Sequence, residues 1–412
     1  MRSPPPHRAT TAHLQALYPF VAEAGLGGRG TYIGKDLFGA SFCFDPWELY
    51  GRGVLTSPNM MVLGQIGRGK STFVKSFLWR QQVVGHQAWV VDPKGEYAPL
   101  AHACGSKPLR LEPGGHLRLN PLDAPAGSTA DSARRRAELL CSLASASLGR
   151  SLTPGERTAT DLAARDVAGR LASPTLPAVI AALLDPDQES ARAVRTDVAA
   201  LAADGRQVAL ELRRLVEGDL AGMFDGETTP GIDLSAPFVV LDLSPLYGSS
   251  ALGILMTCAT AWLQSALASG DGMKRLVVVD EAWAILHNLA IARWLQAGFK
   301  LSRAYGVANV AVVHRLSDLR AAGAEGSEQQ RLAEGLLADA ETRVVFGQPP
   351  SEAGPAGELL GLSSTEVEIL PQLPRGVALW KVGARSFLVE HRVAPDELAL
   401  VDTDDAMREV NR

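Results

Sequence analysis

The feature that most constrains this chain is the octapeptide Gly64-Gln65-Ile66-Gly67-Arg68-Gly69-Lys70-Ser71, which follows the short apolar run Asn59-Met60-Met61-Val62-Leu63. It fits G-x-x-x-x-G-K-[ST], the pattern of a loop that wraps phosphate groups. Glycines let the backbone turn its N–H groups inward, and a helix starting near Lys70 adds its positive end. Lys70 reaches the β- and γ-phosphates, and the Ser71 hydroxyl can ligate Mg²⁺. The nucleotide site is therefore expected over Gly64, Gln65, Ile66, Gly67, Arg68, Gly69, Lys70, Ser71 and Thr72, with ATP and Mg²⁺ as its ligands. An apolar strand before the loop and the helical pattern of Phe73–Val84 after it supply the context the motif requires.

The rest of the chain is read around that loop. QAWVVD (87–92) and PLRLEP (108–113) continue a strand–helix–strand series, so a mostly parallel sheet and an α/β fold are expected. Residues 128–222 change texture, with Ala, Leu and Arg at helical spacing, and read as an α-helical insertion. Strand signals resume with PFVVLDLS, RLVVVDEAW, GVANVAVVH and TRVVFGQ, and RGVALWKVGARSFLVEHRV reads as a closing β-hairpin. The expected organisation is a flexible lead (1–30), a β-rich first half of the core (31–127), the insertion (128–222), a second half (223–403) and a loose tail (404–412).

Composition narrows the partners. Of 412 residues 46% are hydrophobic and 21% charged, enough for a sizeable core. The net charge of −5 speaks against nucleic acid over the whole surface, leaving local contact such as a ring pore. Arg134–Arg136 is either a nucleic-acid patch or a solvated helix face. Cys43, Cys104, Cys141 and Cys258 form no C-x-x-C pair, so buried reduced thiols are expected. Ser249–Ser269 carries no charge, but its Thr, Gln and Gly content fits a core helix better than a membrane span, and the N-terminus lacks a secretory h-region.

Leu276-Val277-Val278-Val279-Asp280-Glu281 is an apolar run ending in two acids. Asp280 is placed to hold Mg²⁺, and Glu281 to polarise the attacking water. Val90-Val91-Asp92-Pro93-Lys94-Gly95-Glu96-Tyr97 and Leu119-Asn120-Pro121-Leu122-Asp123 precede this run, and Ala282-Trp283 completes it. This ordered series resembles the conjugative-transfer and type IV secretion ATPases of the TraC/VirB kind, within the FtsK–HerA group of ring motors, from about Gly34 to Thr403.

The resemblance implies a RecA-like core, a homo-hexameric ring and a cytoplasmic position at a membrane secretion channel. It also implies an arginine supplied across the subunit interface, Arg303 or Arg343. It gives His314 the place where the family has a sensor Gln; His314 either donates to a phosphate or water there or is satisfied by backbone. Family members commonly carry a large N-terminal domain, whereas about 30 residues precede the similarity here. Glu96 either assists hydrolysis or pairs with an interface Arg, while Asp92-Pro93 and Gly95 can equally hold a local turn. The function expected is an ATP-hydrolysing motor for conjugation or secretion. A HerA-like DNA translocase or helicase and a nucleotide-gated scaffold are the alternatives.

Overall fold

The computed structural model describes residues 25–123, 130–217, 221–247, 249, 252–267, 272–282, 296, 299–300, 302–314 and 328–402. Most of the expected N-terminal lead and the tail lie outside these residues.

Eleven strands of the described chain form one sheet. They are β1 (Thr31–Asp36), β2 (Ser41–Phe44), β3 (Met60–Leu63), β4 (Gln87–Asp92), β5 (Leu109–Arg110) and β6 (Phe238–Asp242), then β7 (Arg275–Val279), β8 (Val307–Val313), β9 (Thr342–Phe346), β10 (Val377–Val382) and β11 (Arg385–His391). Their order is β2-β1-β11-β10-β9-β3-β8-β7-β4-β6-β5. From β9 to β5 the seven strands run parallel. The other four extend the sheet as an antiparallel wing. The fold is thus α/β with a mostly parallel sheet, as expected.

Strands β3, β4, β6, β7 and β8 are buried at every position. That is why they read as unbroken apolar runs: a parallel strand is covered on both faces. Alternation still sorts their side chains. Met61, Leu63, Val91, Val277 and Val313 enter one core, and Met60, Val62, Val90, Val278 and Val312 the other.

Among the described residues, five helices lie between β5 and β6: Ala130–Leu148, Pro154–Arg170, Leu176–Leu184, Gln188–Ala193 and Val198–Arg213. They share a core with one sheet face, since Leu140, Leu143, Val167, Ile180 and Val208 cluster with Trp89 and Val279. The arginine run is only partly a solvated face. Arg134 pairs with Glu138 one turn on, but Arg135 donates to Tyr305 Oη and Arg136 to Leu122 O.

The Leu119–Asp123 motif is a knot that ties the insertion to the core. Asn120 Nδ2 donates to Pro174 O and Asp123 Oδ1, both at 2.8 Å. Thr228 Oγ1 receives Asn120 N and the Trp262 ring N–H and donates to Asp123 Oδ2. Helix Leu252–Leu267 packs into the same core through Leu255, Met256, Cys258 and Ala259. No helix among the described residues is long and apolar enough to cross a membrane. Of the four cysteines only Cys258 is fully buried; the others are half-buried free thiols.

β10 and β11 form the expected hairpin. The pairing of β11 with β1 was not foreseen, because it joins segments over 300 residues apart. Its register passes through Gly34, opposite His391, where a Cβ would lie 1.9 Å from Glu390 O. Only glycine fits this approach.

Candidate active site

The candidate site residues sit at the C-terminal ends of four adjacent parallel strands, where open α/β sheets bind ligands. β3 leads into the phosphate loop, β8 ends at His314, β7 at Asp280–Glu281 and β4 at the Asp92–Tyr97 turn. The loop strand and the acid-bearing strand are thus separated by β8 alone.

The loop is built on close backbone contacts. Gly64 has φ +154°, and a Cβ there would come within 2.6 Å of Phe346 Cβ. Gln65 N donates to Gly347 O (3.2 Å), Gly376 N to Arg68 O (3.0 Å) and Arg68 Nη1 to Leu373 O (3.4 Å). The loop therefore leans on the end of β9 and on the segment leading into β10. Gly69, at φ +103°, starts helix Lys70–Val83, and no side chain caps that helix. Its first N–H groups are turned toward the loop, the arrangement that binds anions. Ser71 and Thr72 lie in its first turn. Ile66 is 72% exposed, on the outer rim of the loop.

Lys70 is buried and folded onto the loop, donating to Gly64 O (2.5 Å) and Gln65 O (3.0 Å). Burial lowers its pKa to about 8; the charges of Asp280 and Glu281 work the other way, and that of Lys94 works with burial. Asp280 is buried, and burial, then the neighbouring Glu281 charge, raises its pKa. Its Oδ2 accepts from Tyr97 Oη (3.2 Å) and its Oδ1 from Glu281 N (2.9 Å).

Glu281 lies in the left-handed region, at φ +52°, a conformation that costs a non-glycine residue about 1–3 kcal/mol. Its side chain is 1% exposed. Oε1 accepts both His314 Nε2 (2.6 Å) and the Lys94 ammonium. Burial opposes the charge on Lys94, but the Glu281 carboxylate outweighs it and the pKa rises. His314 is thus bound by a side chain, and its Nδ1 is buried with no partner among the described residues.

Asp92 holds a turn. Oδ1 accepts Lys94 N (3.1 Å) and Gly95 N (2.9 Å), and Oδ2 accepts Tyr97 N (2.9 Å). Burial nonetheless raises its pKa to about 6. Glu96 pairs with Lys75, an almost wholly buried lysine that also lies over the Tyr97 ring.

The structure therefore brings Lys70, Asp280, Glu281 and His314 together with the loop. It places Arg343 on β9, its guanidinium donating to Leu360 O (3.2 Å) and Leu337 O (3.1 Å) at two helix ends. Arg303 lies in the 3-10 turn Ser302–Tyr305, but its side chain is outside the described residues, as is Trp283. Sequence reasoning missed Lys94 as the partner of Glu281, Tyr97 as the donor to Asp280, and Lys75. Nothing in the linear sequence shows that β4 and β7 are neighbours; only Tyr97, an aromatic with a polar end beside a charged motif, offered a signal.

The Asp280 carboxylate and the Ser71 hydroxyl are hard oxygen donors, the type that suits Mg²⁺, which is usually held by one or two carboxylates plus phosphate oxygens and water.

No protein-family model matches the sequence, and no curated protein is significantly similar to it. Solved structures are similar in fold. VirB4 of Thermoanaerobacter pseudethanolicus superposes with a TM-score of 0.71 at 21% identity, covering 91% of this chain and all of that one. The bacterial conjugative coupling protein TrwBdeltaN70 gives 0.59 at 14% identity, over 94% of this chain and 92% of its own. TrwB bound to the non-hydrolysable ATP analogue ADPNP gives 0.54 at 15% identity, over 82% and 85%. With the glycine-rich loop after β3, the acid-bearing end of β7 and the intervening β8 on one sheet, the chain has the α/β fold, with a mostly parallel sheet, of VirB4 and of the conjugative coupling protein TrwB.

Proposed function

We propose that the chain is an Mg²⁺-dependent ATPase that powers conjugative DNA transfer or type IV secretion as a subunit of a homo-oligomeric ring. The observation that carries this reading is the placement of Asp280 and Glu281 one strand from the phosphate loop, in one electrostatic field with Lys70. The solved complexes of TrwB with ADPNP and with ADP and Mg²⁺ support nucleotide and magnesium as the ligands.

The loop N–H groups and Lys70 neutralise the phosphates, while Ser71 and Asp280 hold the ion. Mg²⁺, when bound, offsets charge on the phosphate oxygens. Glu281 orients the attacking water and takes its proton. Arg303 or Arg343 of a neighbouring subunit stabilises charge on the transferring group. The ring sits at the cytoplasmic side of a membrane complex, reached through partner proteins, with DNA as a candidate cargo.

One observation favours a slower alternative, the nucleotide-gated scaffold: the Glu281 carboxylate is already engaged by Lys94 and His314. Phosphate release with and without DNA separates the readings. The motor reading expects Mg²⁺-dependent turnover that Lys70→Ala abolishes together with nucleotide binding. Wild-type protein with no turnover under any of these conditions would overturn it. Stimulation by DNA, weakening with salt, would identify the translocase.

A further inference from the structure

Lys94 stands out as a cation with no assigned role in the reaction. It sits on a turn whose shape is fixed by three backbone N–H bonds to Asp92 and by Gly95, where φ is +73° and a Cβ would lie 2.9 Å from Ser244 Oγ. The lysine is thus delivered from a rigid platform at the C-terminal edge of β4. It contacts Glu281, just past the end of the adjacent strand β7, and lies 5.9 Å from the Tyr247 ring centroid.

The two partners of this ion pair differ in exposure. The Glu281 side chain is 1% exposed, while that of Lys94 is 28% exposed. Both Lys94 and His314 converge on a single oxygen, Oε1. Held in this way, the carboxylate is withdrawn from solvent and its best acceptor site is taken. A group that must accept a proton from water needs that site back. Lys94 is the partner with room to move, and its charge is already felt at Lys70, the phosphate lysine.

We propose that Lys94 is a second phosphate-directed cation, which exchanges Glu281 for the terminal phosphoryl group of a bound nucleoside triphosphate and so frees the carboxylate for the attacking water. This rests on the reading of Glu281 as the group that acts on water. The exchange conserves charge: one ammonium leaves one carboxylate for one phosphate oxygen, and no proton or bond is transferred. A diphosphate lacks the third phosphate that Lys94 would meet and leaves the pair closed. The pair therefore makes hydrolysis readiness depend on the third phosphate, with His314 keeping one bond to Glu281 during the exchange.

The test is equilibrium binding of ADP and of ADPNP, each with Mg²⁺, to wild type, Lys94→Met and Lys94→Arg, alongside phosphate release from ATP. Lys94→Met is expected to bind ADP within about twofold of wild type, to lose about tenfold in ADPNP affinity, and to fall at least tenfold in kcat. ADP binding serves as its control for folding. Lys94→Arg is expected to recover most of the preference for the triphosphate. The proposal is overturned if Lys94→Met keeps the wild-type ratio of ADPNP to ADP affinity, if its kcat rises, or if the arginine variant recovers nothing. The binding ratio needs no turnover, so it is independent of the hydrolytic role of Glu281. That role fails separately if Glu281→Gln hydrolyses ATP like wild type.

Discussion

His314 and His391 are handled in opposite ways. His314 meets a carboxylate at the site, whereas His391 is buried at the end of β11 beside Ser76, whose Oγ lies 2.7 Å from Nε2. Burial, reinforced by the Arg80 charge and opposed by Glu397, lowers the His391 pKa to about 4. An unfolded chain holds its histidine proton up to about pH 6.5. Between pH 6.5 and 4 the unfolded state thus binds more protons, and stability is lost as pH falls through that window. The pair of values caps the effect at about 3 kcal/mol. Chemical denaturation at pH 7 and pH 4.5 is expected to show a smaller loss for His391→Gln than for wild type; equal losses would show that His391 is not the source. At the site, His314→Ala is expected to lower kcat several-fold while His314→Gln keeps most of it, since an amide can also donate to Glu281. Phosphate release measures both.

At the scale of elements, the capping box of helix Pro154–Arg170 and the glycine of β1 each make a local rule visible. Thr153 accepts from Glu156 N, and Glu156 accepts from Thr153 N and from both terminal nitrogens of Arg150. Thr153→Ala is expected to cost about 1 kcal/mol in denaturant unfolding, with nucleotide binding unchanged. Gly34→Ala is expected to cost about 1–3 kcal/mol, because its Cβ meets the Glu390 carbonyl and forces β1 off β11. Proteolysis within residues 25–44 reports that release directly.

These elements also show what was legible. The strand–turn–helix around Gly64–Ser71, the strand end at Asp280 and Glu281 and the buried strands could be read because each needs particular residues at short spacing. The Lys94–Glu281 contact could not, since it joins residues 187 positions apart and depends on β4 lying beside β7. The Leu119–Asp123 motif was visible but its work was not: its partners are Pro174 and Thr228, supplied by distant segments. The wing escaped for the same reason, because a strand near the start pairs with one near the end.

For the whole molecule, the sheet links the phosphate loop to the wing. The loop touches Gly347 after β9 and Gly376 before β10, and β10 continues through β11 to β1 and β2. A change in loop shape therefore has a continuous hydrogen-bonded route to the sheet edge. The proposed ring predicts that turnover per subunit rises with protein concentration until the oligomer is complete, readable by phosphate release alongside sedimentation.

The central claim is that Glu281 acts on water at a working phosphate site. Its most direct measurement is Mg²⁺-dependent phosphate release by wild type and Glu281→Gln at saturating ATP, with ADPNP binding measured in parallel. The account predicts that the variant binds ADPNP at least as well as wild type and releases phosphate at least a hundredfold more slowly. Wild-type turnover by Glu281→Gln would contradict it.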